Sequence, residues 1–205
     1  MNLANKLTVF RIILVPIFVV IGYLGTLGVI TGEFIGIPTF MWIMNIIFII
    51  ASITDKLDGY IARSRNMVTT FGKFLDPLAD KILVLTALVM LVEYGKIPAW
   101  IPIIVLTREF LVSGYRLVAA QKGGQVIAAS VWGKLKTVTQ MIAIILIFAD
   151  KYNFFDFISE VRMSMTTASL CINVVASVMM AISVVATIFS GYDYLKNGKD
   201  LFKDA

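Results

Sequence analysis

The stretch F-M-W-I-M-N-I-I-F-I-I-A-S-I-T, residues 40–54, is almost unbroken apolar sequence, and it runs straight into Asp55-Lys-Leu-Asp58-Gly59-Tyr-Ile-Ala62-Arg63. Such a run reads as a membrane span whose ends hydropathy fixes only to within a few residues. The carboxylates then fall where the helix leaves the bilayer core. A few residues on, Gly72-Lys-Phe-Leu-Asp76-Pro-Leu-Ala-Asp80 opens the next apolar run, Leu75 to Tyr94. Span, short charged turn and returning span make a helical membrane hairpin with its acidic residues at one membrane face.

Four more apolar runs lie outside this hairpin: Leu7 to Tyr23, Trp100 to Ala120, Val131 to Ala149 and Thr167 to Phe189. A bilayer core about 30 Å thick takes roughly 20 apolar residues per helical span, so the chain suffices for about six spans and little else. The composition agrees: of 205 residues 59% are hydrophobic and 15% charged, with a mean hydropathy of +0.90. The expected fold is an all-α integral membrane protein, a six-transmembrane-helix bundle forming a single domain over residues 1–205. No repeat or linker divides it. Gly28 and Gly32 are read as turn formers in the first outer loop.

With the N-terminus placed in the cytoplasm, that side carries Lys6, Arg63, Arg65, Lys73, Lys122, Lys196, Lys199 and Lys203, against Lys96, Lys151 and Arg162 opposite. The bias orients both termini to the cytoplasm. Tyr23, Trp42, Tyr94 and Trp100 then fall near outer span ends and Trp132 near an inner one, as interfacial aromatics should. A bacterial plasma (inner) membrane is the expected location, with the acidic face cytoplasmic. The net charge of +5 suits anionic lipid or an anionic substrate, whereas nucleic acid would need a polar domain that the composition leaves no room for. The single cysteine, Cys171, excludes an internal disulfide and is read as a core or lipid-facing residue. Histidine is absent, so acid–base work falls to carboxylates or lysine.

Residues three or four apart share a helix face, so Asp55 and Asp58 project together from the end of one span, and Asp76 and Asp80 from the start of the next. Converging carboxylates repel and are costly to desolvate unless cations neutralise them. Oxygen ligands without His or Cys favour a hard ion, Mg²⁺ or Mn²⁺. Two such ions roughly 4 Å apart clamp a pyrophosphate, which points to phosphoryl or phosphatidyl transfer. Solvated helix caps would account for any one aspartate, though poorly for four at matched spacing. Gly59 and Ala62 are small enough for a flat ligand, or another helix, to approach closely. Pro77 suggests a bent or irregular entry to the third span.

The run D-x-x-D-G-x-x-A-R, eight residues, then G-x-x-x-D-x-x-x-D resembles the signature of the CDP-alcohol phosphatidyltransferases, with every defining position occupied. The resemblance implies that Asp55, Asp58, Asp76 and Asp80 hold two metals, that Gly59, Ala62, Arg63 and Gly72 bind the CDP part, and that Asp80 is the general base. It also implies a homodimer. Asn5, Thr8 and Arg11 are implied CDP contacts, and a positive-inside anchor accounts for Arg11 nearly as well.

A second constellation is cationic. Arg108 lies mid-span, with Arg116 two turns nearer the cytoplasm; eight residues turn a helix through about 800°, so the two lie within roughly 80° of each other and can line one cavity. An anion is the obvious tenant, and an internal ion pair with Asp76, Asp80 or a helix partner near Glu109 is the competing reading for Arg108. Lys134 and Lys136, two apart, face nearly opposite ways, so one reaches the cavity while the other snorkels.

Arg108-Glu109-Phe110 with Gly114-Tyr-Arg116, Val126-Ile-Ala-Ala-Ser130, Gly133-Lys134-Leu-Lys136-Thr137 with Gln140, and Asn5-Lys-Leu-Thr8-Val-Phe-Arg11 are similar to the branch of that family that makes phosphatidylglycerol phosphate. The acceptor that this resemblance implies is sn-glycerol 3-phosphate, its phosphate held by Arg108, Arg116, Lys134 and Lys136, with CDP-diacylglycerol as donor. Inositol phosphate, another phosphoalcohol and a neutral alcohol are the alternative acceptors. A small ion or proton-coupled transporter is the alternative of another class, disfavoured by the missing inverted repeat and by carboxylates gathered at one face.

Overall fold

The computed structural model describes the backbone of residues 3–64, 70–121 and 131–197, and the side chains of 6–55, 79, 81–116 and 131–196. Among the described residues the chain forms six α-helices: α1 Leu3–Thr26, α2 Thr39–Ser64, α3 Thr70–Glu93, α4 Trp100–Gln121, α5 Val131–Phe148 and α6 Thr167–Asn197. Each matches one apolar run. Hydropathy misses the extensions, because α2 continues ten residues past Thr54 to Ser64 and α6 continues past Phe189 to Asn197. A helix does not stop where its side chains turn polar.

Among the described residues three helical segments are long and apolar enough by themselves to cross a membrane, namely Lys6–Thr26, Val131–Phe148 and Thr167–Lys196, while Thr39–Asp55 is apolar but shorter. The departures from an all-α fold are slight: a hairpin pairing Glu33–Phe34 with Ile37–Pro38 and two 3₁₀ turns between α5 and α6. The hairpin reverses through Ile35 and Gly36, both at positive φ, the geometry of a tight hairpin turn. Gly28 and Gly32 likewise have φ of 72° and 112°, and Gly28 lies in a turn as expected. α3 is helical through Pro77, so the helix is not broken at its entry. Cys171 is exposed on the chain's surface, on the side of the expectation that faced it to lipid.

At one end the α3–α4 loop meets the α5–α6 connection, where buried Lys96 donates from Nζ to the carbonyls of Asp150 (2.8 Å), Lys151 (2.8 Å) and Tyr152 (3.2 Å). The Asp150 carboxylate accepts from Asn173 Nδ2 at 2.7 Å and from the Tyr152 amide at 3.1 Å. Burial pushes the Asp150 pKa up and the Lys96 pKa down, each partly offset by the charge of the other. Tyr23, Trp42, Tyr94 and Trp100 gather toward this end, while Trp132, at the start of α5, stacks on Phe189 at the opposite one. The core between the ends is close-packed around Phe18, Met44, Phe48, Leu88, Ile144, Phe148 and Met180, with Phe18 edge-on to Phe148 at 5.8 Å. On α6 the buried Asn173, Ser177, Ser183, Thr187 and Ser190 recur at helical spacing, small and polar as tight helix packing in a membrane favours.

Candidate active site

α1 turns Thr8, Arg11, Leu14 and Phe18 onto one buried face, which packs on α2 and α3. The sequence pattern already holds this face, since the positions recur at three and four. Arg11 has no exposed side-chain surface, and its Nη1 donates to Asp55 Oδ1 at 2.5 Å. A headgroup anchor would be solvated, so the anchor reading of Arg11 fails. Its charge is spent on the first signature aspartate.

Asp55, Asp58, Gly59, Ala62 and Arg63 all lie within α2, and Gly72, Asp76 and Asp80 within the first turns of α3. Asp55 is the signature aspartate whose side chain is described. The side chains at Asp58, Arg63, Asp76 and Asp80 lie outside the described set, as does that of Asn5. Arg65, Lys122, Lys199, Lys203 and the 126–130 motif lie outside the described residues altogether.

A cavity of about 620 Å³ opens between α3, α4, α5 and α6, and Arg108, Arg116, Lys134 and Lys136 all line it. The helical-wheel argument that Arg108 and Arg116 share a cavity therefore holds. Spacing predicts that only one of the two lysines reaches the cavity, but both line it, Lys136 6% exposed and Lys134 exposed at the rim. Lys81, the residue after Asp80, lines the same cavity, so its wall includes the α3 turn that carries Asp80.

Several lining residues were not found as site residues by sequence reasoning. Glu109 is the hub, accepting Arg108 Nη1 at 2.7 Å and Lys136 Nζ at 2.5 Å, with Lys81 Nζ at 3.6 Å. Arg108 thus does form an internal ion pair, with Glu109 itself as the partner. Lys81 also hydrogen-bonds Ser113. From α6, Ser190 accepts Arg108 Nη2 at 2.6 Å, and the Tyr194 hydroxyl accepts Arg116 Nη2 at 2.9 Å. The Tyr194 ring lies under both guanidinium groups, 5.9 Å from Arg108 and 5.7 Å from Arg116, a favourable cation–π distance. The available signal was the i, i+4 spacing of Ser190 and Tyr194 on the helix continuing past the apolar run. Buried Arg108 Nε and Gln140 Nε2 have no hydrogen-bond partner among the described residues, which marks the cavity wall as polar and under-satisfied.

Cations thus outnumber the one carboxylate among the described lining residues, and in a confined, low-dielectric site such an excess attracts an anion. The comparisons with known proteins agree in kind. Over 147 residues, 70% of this chain and 74% of the relative, the sequence is 51% identical to the CDP-diacylglycerol–glycerol-3-phosphate 3-phosphatidyltransferase of Bacillus subtilis (strain 168). It is 34% identical over 202 residues to the protein of that name from Rickettsia bellii (strain RML369-C), covering 98% of this chain and 97% of the relative. A probable phosphatidylglycerophosphate synthase of Mycobacterium tuberculosis (strain ATCC 25618 / H37Rv) is 37% identical over 194 residues, 95% of this chain and 80% of the relative. With the family model for CDP-alcohol phosphatidyltransferase matching residues 1–189, the chain belongs to the CDP-alcohol phosphatidyltransferase family.

Proposed function

We propose that this protein transfers the phosphatidyl group of CDP-diacylglycerol to sn-glycerol 3-phosphate, giving phosphatidylglycerol phosphate and CMP. The observation that carries the reading is the cavity holding Arg108, Arg116, Lys134 and Lys136, whose charge suits a doubly negative phosphate. The names borne by the Bacillus and Rickettsia relatives support the same acceptor.

In this reading Asp55, Asp58, Asp76 and Asp80 hold two Mg²⁺ or Mn²⁺ ions. The donor set is all carboxylate, and the Asp55 side chain remains 32% exposed while paired with Arg11, so both its chemistry and its access fit a hard ion. When bound, such ions neutralise charge on the pyrophosphate and on departing CMP. Asn5, Thr8, Gly59, Ala62, Arg63 and Gly72 bind the CDP part, and Arg11 serves the same region by fixing Asp55. Arg108, Arg116 and Lys136 seat the acceptor phosphate, with Lys134 at the rim. Asp80 takes the proton of the acceptor hydroxyl. The freed oxygen bonds to the phosphorus that carries diacylglycerol, and the bond from that phosphorus to the bridging oxygen breaks toward CMP.

The whole chain acts as one six-span domain in a bacterial plasma membrane, with both termini and the site on the cytoplasmic side, and works as a homodimer. The three apolar helices, the aromatic residues toward opposite ends and the bacterial relatives support this placement.

The test is product identity. Purified protein supplied with CDP-diacylglycerol, Mg²⁺ and a mixture of glycerol 3-phosphate, inositol phosphate and glycerol should form phosphatidylglycerol phosphate in preference to any other lipid. Another phosphoalcohol in the product would keep the chemistry and reassign the acceptor.

A further inference from the structure

We propose that two connections at the end of the bundle away from the signature aspartates lie in the membrane surface, their apolar side chains seated at the boundary between the headgroups and acyl chains of that leaflet. The connections are residues 27–38, between α1 and α2, and residues 149–166, between α5 and α6.

Turns and loops that face water are ordinarily polar. Here Leu27, Val29, Phe34 and Ile35 in the first connection are 61–75% exposed, and Ile158 and Met163 in the second are 71% and 96% exposed. Apolar side chains exposed together mark a surface that meets a membrane or a protein. The two connections adjoin, because a Cβ on Gly36 would lie 3.3 Å from Lys151 Cδ.

Continuity with the spans chooses lipid as the occupant. Leu27 follows directly on the apolar segment Lys6–Thr26, and Met163 lies four residues before the segment Thr167–Lys196 begins, so the lipid that covers those helices reaches both connections. The backbone agrees. Polar groups that approach the hydrocarbon need partners within the protein, and the amides of Ile158, Ser159, Arg162 and Met165 donate to the carbonyls three residues before them. The Phe155 and Phe157 amides donate to Ser177 Oγ and Asn173 Oδ1 of α6. In the first connection the Phe34 carbonyl accepts from Trp42 Nε1 at 3.1 Å, and tryptophan is a residue of membrane–water boundaries. The exposed charges of the two connections balance, Glu33 and Glu160 against Lys151 and Arg162, so net charge selects no partner here. Arg162, between exposed Val161 and Met163, has a stem long enough to hold its guanidinium at the phosphates while its neighbours sit deeper. A surface that depends on apolar seating rather than charge takes a neutral bilayer.

The test measures depth. Ile35→Cys, Ile158→Cys and Met163→Cys, each combined with Cys171→Ser, are labelled with a nitroxide in the full-length protein and reconstituted into vesicles of phosphatidylcholine alone. Collisions with oxygen, which concentrates in the bilayer, are compared with those of a water-soluble nickel chelate by paramagnetic resonance. All three labels should favour oxygen and lie about 5–10 Å below the phosphates, the usual depth of a segment seated in the interface. Circular dichroism matching wild type confirms that each labelled protein is folded, and sites in both connections keep the test alive if one variant is lost. Nickel reaching the labels as freely as it reaches a label in water overturns the proposal. Labels hidden from both reagents overturn it as well, since they mark a face covered by a second copy or another protein. The result is independent of the reaction proposed above, which CMP release tests separately.

Discussion

Replacing either member of the Arg11–Asp55 pair should have unequal consequences, because the two sit in different surroundings. With Nη1 and Oδ1 2.5 Å apart, the charge centres lie about 4 Å apart, worth about 4 kcal/mol of gross attraction at an effective dielectric near 20. The Asp55 side chain is 32% exposed, so water screens the pair and about 2 kcal/mol is a fairer figure. In Arg11→Met the burial cost of the guanidinium disappears as well, and the carboxylate can rehydrate, so the fold should lose only about 1 kcal/mol. Asp55→Ala instead removes an acceptor 2.5 Å from a guanidinium with no exposed surface, a charged hydrogen bond worth about 2 kcal/mol. Thermal unfolding in one detergent should rank wild type above Arg11→Met and Arg11→Met above Asp55→Ala. Arg11→Met should still lower kcat/KM about thirtyfold, the equivalent of about 2 kcal/mol of lost carboxylate positioning. Arg11→Met melting at or below Asp55→Ala, or turning over at the wild-type rate, would refute the reasoning.

Three further outcomes follow from the geometry. Lys136→Gln should raise the KM for glycerol 3-phosphate about tenfold while Lys134→Gln changes it less than about threefold, because one lysine is buried in the cavity and the other stands at its rim; equal effects in steady-state kinetics would contradict this. Lys96→Met removes three bonds from an ammonium to backbone carbonyls and should destabilise the protein by about 2–3 kcal/mol without altering the kcat of molecules that remain folded. Asp150 has a pKa raised by burial, so its contribution to stability is fully present below the unfolded carboxylate value and is lost as pH rises through the folded one. Relative to Asp150→Asn, wild type should therefore gain melting temperature as pH falls from 7 toward 4, and a constant difference would show that burial of this carboxylate carries no such cost.

Much of this architecture is legible in the sequence because a bilayer demands long apolar runs, and all six runs coincide with helices. What lay beyond the apolar runs was harder. Ser190 and Tyr194 sit on an extension of α6 that hydropathy does not mark, yet they hold Arg108 and Arg116 in place. Glu109 was visible only as the neighbour of Arg108, and helix geometry argues against contact between adjacent residues, so its part in gathering Lys81, Arg108 and Lys136 needed coordinates. Lys81 was hidden beside the more conspicuous Asp80. Arg11 is the instructive case: its place on a face with Thr8, Leu14 and Phe18 was readable, but a lone arginine near a span end so often meets lipid headgroups that the buried alternative was passed over. α2 and α3 are helical through positions 55, 58, 76 and 80, which is the backbone that the aspartate spacing predicts.

The most direct test of the central claim is CMP release from CDP-diacylglycerol and glycerol 3-phosphate by the purified protein, with Mg²⁺, after chelation, and in Asp80→Asn. Release should require both substrates, stop on chelation and return with Mg²⁺ or Mn²⁺. It should fall by about 10² or more in Asp80→Asn, the usual worth of a positioned general base. No CMP released with any alcohol, or release indifferent to chelation and to Asp80→Asn, would contradict it.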